Sequence, residues 1–280
     1  MKYYQLNNGN KIPAIGFGTY KAQEDEGIAA VKKAIETGYR LIDTAAKYEN
    51  EEAVGKAIKQ SGIAREELML TTKLWRENLG YESTKKAFET SLAKLDLDYI
   101  DLYLIHWPAN AKNYENWQKA NNDSWRAMEE LVKEGKIKNI GVSNFWTEHL
   151  EPLLEAAEIK PVINQIEFHP GYWQPELTRY CKEKNILVEA WSPLARGKVF
   201  ESEEIKAIAK KYNKSVAQIC LRWILEHNAL VIPKSSTPER IEDNFDVFDF
   251  QLDAEDIKTI DNLPQMGFSG ELPNHWPDRV

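Results

Sequence analysis

The stretch YRLIDTAAKYENEEAVGKAIKQ, Tyr39 to Gln60, decides how the chain folds. Its first five residues are a short apolar run ending on Asp43. A polar connection follows that carries Tyr48, and then ENEEAVGKAIKQ, whose apolar positions recur at helical spacing. One strand and one helix joined by a short loop is half of a parallel crossover unit. The unit recurs along the chain. IGFGT precedes an amphipathic helix expected over Glu24 to Thr37; LMLTT precedes STKKAFETSLAKL; YIDLYLI precedes NDSWRAMEELVKEG. IKNIGV is followed by TEHLEPLLEAAE, and PVINQIE by QPELTRYCKEK. ILVEAW is followed by two helical runs, SEEIKAIAKKY and SVAQICLRWILEH, and LVIP by PERIEDNFDVF. The strand runs are apolar throughout, as parallel strands covered on both faces must be.

Eight such pairs with short connections predict a single-domain (β/α)8 TIM barrel spanning residues 1–280. No Pro/Gly/Ser linker divides it. Ahead of the series, YYQL, NNGN and KIPA predict a short β-hairpin that caps the barrel bottom. A rival reading starts from Gly16-x-Gly18 after a strand and Asp43 at the end of another, superficially a dinucleotide-binding fingerprint. Lys21 stands where the third glycine belongs, and no helix opens on these glycines, so the barrel is preferred.

Composition sets limits. The 280 residues carry a formal net charge of -8, with 42% hydrophobic and 29% charged residues. That describes an ordinary globular chain and argues against nucleic acid as a partner. No run approaches the roughly 18 apolar residues of a membrane span, and the N-terminal stretch has no apolar leader-like segment. Cys181 and Cys220 sit apart in apolar helical contexts, which suits reduced packing residues and a cytoplasmic location. The sequons NDS and NKS are therefore expected to stay unmodified.

Four ionisable residues stand at or just past strand ends: Asp43, Tyr48 in the following loop, Lys73 after LMLTT, and His106 after DLYLI. Taken singly, each has a bland reading as a capping acid, a surface aromatic, a solvated lysine or a core histidine. In a barrel, however, the active site gathers at the C-terminal strand ends. A phenol, with an ordinary pKa of about 10, becomes a better acid when an ammonium lies beside it and an aspartate keeps that ammonium charged. Such a group could protonate a carbonyl oxygen. VIPKSSTPER then offers Thr237 as N-cap and Pro238 as first helical residue, with Lys234, Ser235 and Arg240 nearby. A helix N-terminus with cations suits a phosphate, although spacing alone equally allows a capped helix with two solvated cations. Glu167 and His169 alternate on one strand face, but no third ligand is evident and no metal is expected.

The runs GYRLIDTAAKYENEEAVG (Gly38 to Gly55) and IPKSSTPERIEDNF (Ile232 to Phe245), with TKLW, LIHWP, GVSNF, NQIEFHP and WSPLARG between them in order, resemble the aldo-keto reductase family over nearly the whole chain. WSPLARG and the short length resemble the bacterial branch that includes 2,5-diketo-D-gluconate reductases. The resemblance implies NADPH-dependent reduction of aldehydes and ketones, with Tyr48 as general acid, Lys73 and Asp43 tuning it, and His106 orienting the carbonyl oxygen and sharing in proton transfer. It assigns Ser143, Asn144 and Gln165 to the nicotinamide carboxamide and Trp191 to stacking on the ring. Thr19, Ser192 and Leu194 would add contacts, Lys234, Ser235 and Arg240 would hold the 2′-phosphate, and Asn244 the adenine. Tyr20, Trp75 and Trp107 are expected to wall the substrate pocket. The segment 110–122 reads as a substrate-side loop in which Trp117 reaches inward, and the tail from Gly267 as a cover over the mouth. Expected substrates are small aldehydes, α-dicarbonyls and keto acids or esters. NADP-dependent oxidation of a sugar or polyol is the alternative direction, and a non-enzymatic NADPH-binding barrel the third reading. A monomer is expected.

Overall fold

The computed structural model describes residues 2–275. Strands β1 (Tyr3–Gln5) and β2 (Lys11–Pro13) form the antiparallel hairpin. Eight parallel strands follow: β3 (Phe17–Gly18), β4 (Leu41–Asp43), β5 (Met69–Leu74), β6 (Ile100–Ile105), β7 (Ile137–Ser143), β8 (Ile163–Glu167), β9 (Leu187–Trp191) and β10 (Leu230–Val231). They pair in chain order, and the ring closes where Ile15 bridges Val231 in parallel. There the Gly16 N–H donates to the Val231 carbonyl at 2.9 Å and the Gly18 N–H to that of Pro233 at 3.0 Å. The glycines of the rival fingerprint thus serve closure. A Cβ on Gly16 would lie 2.7 Å from a Leu41 methyl, and one on Gly18 3.1 Å from the Ile232 carbonyl oxygen.

Helices α1 (Glu24–Thr37), α2 (Glu51–Ser61), α3 (Tyr81–Leu95), α4 (Trp117–Lys133), α5 (Thr147–Ala156), α6 (Pro175–Glu183), α7 (Glu203–Tyr212), α8 (Val216–Glu226) and α9 (Pro238–Phe245) surround the barrel. In α1 the buried residues Gly27, Ala30, Val31, Ala34 and Ile35 form the i, i+3, i+4 stripe that sets the helix against the strands. Each fully buried aliphatic side chain there contributes roughly 1.5–3 kcal/mol. Inside the barrel, Leu41, Leu102, Leu104, Ile163 and Leu230 form a second apolar cluster that Leu6 and Ile12 of the hairpin plug from below. The amides of Asn8 and Asn10 fix the hairpin to the Asn139 side chain at 2.8 and 2.9 Å, so the expected bottom cap is present.

Two stretches differ from the sequence reading. Residues 117–122 belong to α4, where the Asn116 side chain accepts the Lys119 N–H as N-cap, so the segment 110–122 is loop only in its first half. Trp117 opens that helix and packs edge-on against His149 at 5.4 Å. A further helix, α10 (Ala254–Asp261), follows a capping Asp253; the sequence reading had ended the helical series at α9.

Candidate active site

Asp43 ends β4 and Lys73 lies next to the end of β5, both fully inside. An ammonium has three N–H donors, and Lys73 Nζ directs them to Asp43 Oδ1 at 2.6 Å, the Thr44 carbonyl at 2.8 Å and the Tyr48 hydroxyl at 3.4 Å. Tyr48 closes a 3-10 turn, Ala46–Tyr48, in the β4–α2 loop. Asn50 holds that loop. Its Oδ1 accepts the Thr44 hydroxyl at 2.8 Å, and its Nδ2 donates to the carbonyls of Thr19 and Ala22 at 2.8 and 2.9 Å. His106 follows β6, its backbone N–H on the Leu74 carbonyl. Its ring stands edge-on to Tyr48 at 5.6 Å and to Trp75 at 5.3 Å. The four residues expected at strand ends therefore converge.

Burial governs their protonation. Burial, seconded by Asp43 and Tyr20, pushes the Tyr48 hydroxyl up to about 12 although Lys73 pulls it down as expected. The phenol therefore holds its proton across the neutral range. Burial first, then the charges of Lys73 and Arg76, drive His106 well below the ordinary imidazole range. A neutral imidazole can donate one N–H to an oxygen, but it is not a store of a second proton. That suits the orienting role that the resemblance implies for it. Lys73 stays above its usual value: burial opposes its charge, but Asp43 and Tyr48 hold it.

Around these four lies a connected set of hydroxyl, amide and indole side chains. Ser143 Oγ donates to the Gln165 carbonyl at 2.8 Å, and Asn144 Nδ2 donates to Ser143 Oγ and the His106 carbonyl, both at 3.0 Å. Asn144 has φ 61°, a left-handed conformation that asparagine tolerates. Trp191 Nε1 donates to Asn144 Oδ1 at 2.8 Å, which fixes the indole at the end of β9. Gln165 Nε2 donates to Asp43 Oδ2 at 2.9 Å, joining the amide set to the catalytic pair, a link the sequence did not reveal. Ser192 and Leu194 follow, half-buried. Thr19 is fully buried, and its hydroxyl donates to the Asp43 carbonyl at 2.9 Å.

Beyond β10, Thr237 heads α9 and Pro238 is its first residue, but the Thr237 side chain makes no capping bond. Its N–H instead donates to Ser235 Oγ at 3.1 Å, so the turn is tied by Ser235. Lys234 and Arg240 are exposed and Asn244 is buried. Among the described residues neither Lys234 nor Arg240 has an ion-pair partner, whereas Lys33 pairs with Glu242 and Lys214 with Asp246. Two uncommitted cations at a helix N-terminus fit a phosphate.

Tyr20 is 57% exposed and its ring lies 5.1 Å from that of Tyr48. Trp75 and Trp107 are buried, and the Arg76 guanidinium stacks on both, at 4.6 and 5.5 Å from their ring centres. Arg76 escaped the sequence reading, although its place just past a strand end could have drawn notice. The tail crosses the C-terminal face as expected. Ser269 donates its N–H and hydroxyl to Glu167 at 2.9 and 2.7 Å, and Asn110 Nδ2 donates to the Pro273 carbonyl at 2.7 Å. Asn274 meets His149 Nε2 at 3.0 Å. Glu271, Leu272 and Pro273 thereby line a recess with Asn144 and Trp191. Residues 276–280 lie outside the described residues. Glu167 thus anchors the tail, and its neighbour His169 lies 3.3 Å away; no third metal-ligating side chain joins them among the described residues.

Residues 14–264 match the aldo/keto reductase family. The chain is 54% identical over 260 residues to the glyoxal reductase of Bacillus subtilis, covering 92% of this chain and 91% of that protein. It is 48% identical over 274 residues to methylglyoxal reductase DkgA of Escherichia coli, covering 97% of each. A crystal structure of a Gox0644 variant in complex with NADPH, 41% identical, superposes with a TM-score of 0.90 over 97% of both chains. With a barrel of this topology and this strand-end constellation, the chain belongs to the aldo/keto reductase family and is an NADP(H)-dependent oxidoreductase that reduces carbonyls.

Proposed function

We propose that the enzyme reduces small aldehydes and α-dicarbonyls to alcohols, with Tyr48 as the general acid and with keto acids or esters as further substrates. The observation that carries this reading is the commitment of all three Lys73 donors, one of them to the Tyr48 hydroxyl. NADPH supplies the hydride when bound. Ser143, Asn144 and Gln165 would hold its carboxamide and Trp191 the ring face, with Ser192 and Leu194 beside them. Lys234, Ser235 and Arg240 would hold the 2′-phosphate and Asn244 the adenine. His106, neutral, orients the carbonyl oxygen, Tyr48 gives that oxygen its proton, and Lys73 with Asp43 steadies the phenolate left behind. Tyr20, Trp75, Trp107 and the tail around Leu272 exclude water and shape the entrance.

The hydroxyl that stays protonated up to about 12 supports reduction as the main direction, since oxidation of a sugar or polyol would need the phenolate as base. The small-dicarbonyl reading is supported by the activities named for the two bacterial relatives. A monomer is supported by the scatter of the large exposed hydrophobics among the described residues, Tyr3, Tyr20 and Phe200. A cytoplasmic location is supported by two buried free cysteines; no helix among the described residues is long and apolar enough to cross a membrane. The test is NADPH consumption with glyoxal, methylglyoxal, aryl aldehydes and keto acids, with NADH run beside it. Turnover of the dicarbonyls with NADPH and little with NADH is expected. Turnover of bulky aryl aldehydes alone would remove the substrate class.

A further inference from the structure

In the middle of β9, two residues before Trp191, the sequence ILVEAW carries a carboxyl inside an otherwise apolar strand. Glu189 is 0% exposed. It pairs in register with Gln165 on β8 and with Leu230 on β10, and in a parallel sheet paired residues point to the same face. Leu187 and Trp191, which share its face, pack on the apolar cluster inside the barrel. Neither Glu189 oxygen has a hydrogen-bond partner among the described residues. The donors that could have served it are committed elsewhere. Lys73 directs its three N–H groups to Asp43, Thr44 and Tyr48. Gln165 gives an amide N–H to Asp43 Oδ2. Among the described residues, the charged groups that act on the carboxyl are Asp43 on β4, which repels a negative charge there, and Lys73 on β5, which attracts it. An isolated carboxylate in such a place is too costly to keep, and the group holds its proton instead.

We propose that Glu189 is a positioning residue for the proton-donating site: a neutral carboxylic acid, in register with Gln165, that leaves the Asp43–Lys73 pair electrically unopposed. The inference rests on the reading of Tyr48, Lys73 and Asp43 as the proton-donating set. Glu189 does not touch the reacting atoms and acts through Asp43 and Lys73. While it is neutral, the barrel interior holds one negative and one positive charge, and Lys73 exerts its full pull on the Tyr48 hydroxyl. Burial, then Asp43, set the carboxyl's own ionisation at about 8. Above that, a second negative charge beside Asp43 draws on the same ammonium and makes the phenolate harder to form. Reduction by a weaker acid slows, and oxidation waits for a higher pH before its base exists.

The experiment combines two readouts on the full chain. Infrared difference spectra of the unliganded enzyme, titrated from neutral to alkaline pH, are expected to show a protonated-carboxyl band at neutral pH. The band should disappear with an apparent pKa of about 8 and be missing in Glu189→Gln. In the same variant the onset of alcohol oxidation with NADP+ is expected at lower pH than in the wild type, by on the order of one pH unit. No protonated band at neutral pH, or an unchanged oxidation onset in the variant, overturns the inference. Glu189→Met, of similar volume and without charge, serves for the kinetic arm should the glutamine variant not fold, and the wild-type titration needs no variant. Should Tyr48→Phe keep its activity, the acid assignment falls while the carboxyl titration still reads; loss of the titration alone removes Glu189 and leaves Tyr48 in place.

Discussion

Replacing Lys73 with methionine tests whether the buried ion pair is both structural and chemical. Methionine keeps most of the length and fits the apolar interior, but it removes three donors at once. Asp43 is left with Gln165 as its side-chain partner at a position whose side chain is 2% exposed. Stripping one member from a buried pair costs about 3–5 kcal/mol, a large part of the roughly 5–15 kcal/mol that holds a domain together. Urea denaturation at neutral pH measures the loss. A second arm is Asp43→Asn with Lys73→Met, which removes both charges and is expected to recover at least about 2 kcal/mol relative to Lys73→Met alone. Carbonyl reduction should fall by on the order of 100-fold in Lys73→Met, since the pull on the Tyr48 proton is gone. A Lys73→Met protein within about 1 kcal/mol of the wild type would refute the reasoning: the pair would then be neither dry nor essential to the site's order.

Two further outcomes are expected. Arg240→Ala weakens NADPH binding by about 10-fold or more, the loss of a charge-assisted contact, and leaves NADH nearly unchanged; equal losses for both cofactors in a fluorescence titration would remove the 2′-phosphate role. The pH profile of kcat/KM for reduction shows no break in the ordinary imidazole range. His106 is driven well below it by burial and by Lys73 and Arg76, so the ring is already neutral there; a break near 6.5 that His106→Gln abolishes would contradict this.

Much of the site was legible in the sequence because barrel chemistry concentrates where apolar runs end. Asp43, Lys73, His106, Ser143 and Trp191 each stand at or beside such an end, and local order along the chain was enough to find them. What escaped depends on contacts between distant strands. The Gln165 to Asp43 bond spans 122 residues, and Asn50 ties together two loops whose sequences show only polar residues. The first turns of α4 were missed because residues 117–122 are mostly polar and their only start signal is Asn116. α10 was missed because it is short and strongly charged, although Asp253 stands before it as a cap. The net rise of the Tyr48 pKa was also beyond the sequence: the presence of Lys73 was readable, but the depth of burial that outweighs it was not.

The central claim is that Tyr48 delivers the proton. Tyr48→Phe deletes one hydroxyl, whose one hydrogen bond among the described residues is the 3.4 Å contact with Lys73, and leaves Lys73 on Asp43 and Thr44. The direct measurement is single-turnover reduction of methylglyoxal by the NADPH-loaded variant, with NADPH affinity determined on the same sample. The account predicts a loss of about 100- to 10,000-fold in the reduction step with NADPH affinity nearly unchanged. Reduction within tenfold of the wild type, on protein that binds NADPH normally, would show that another group supplies the proton.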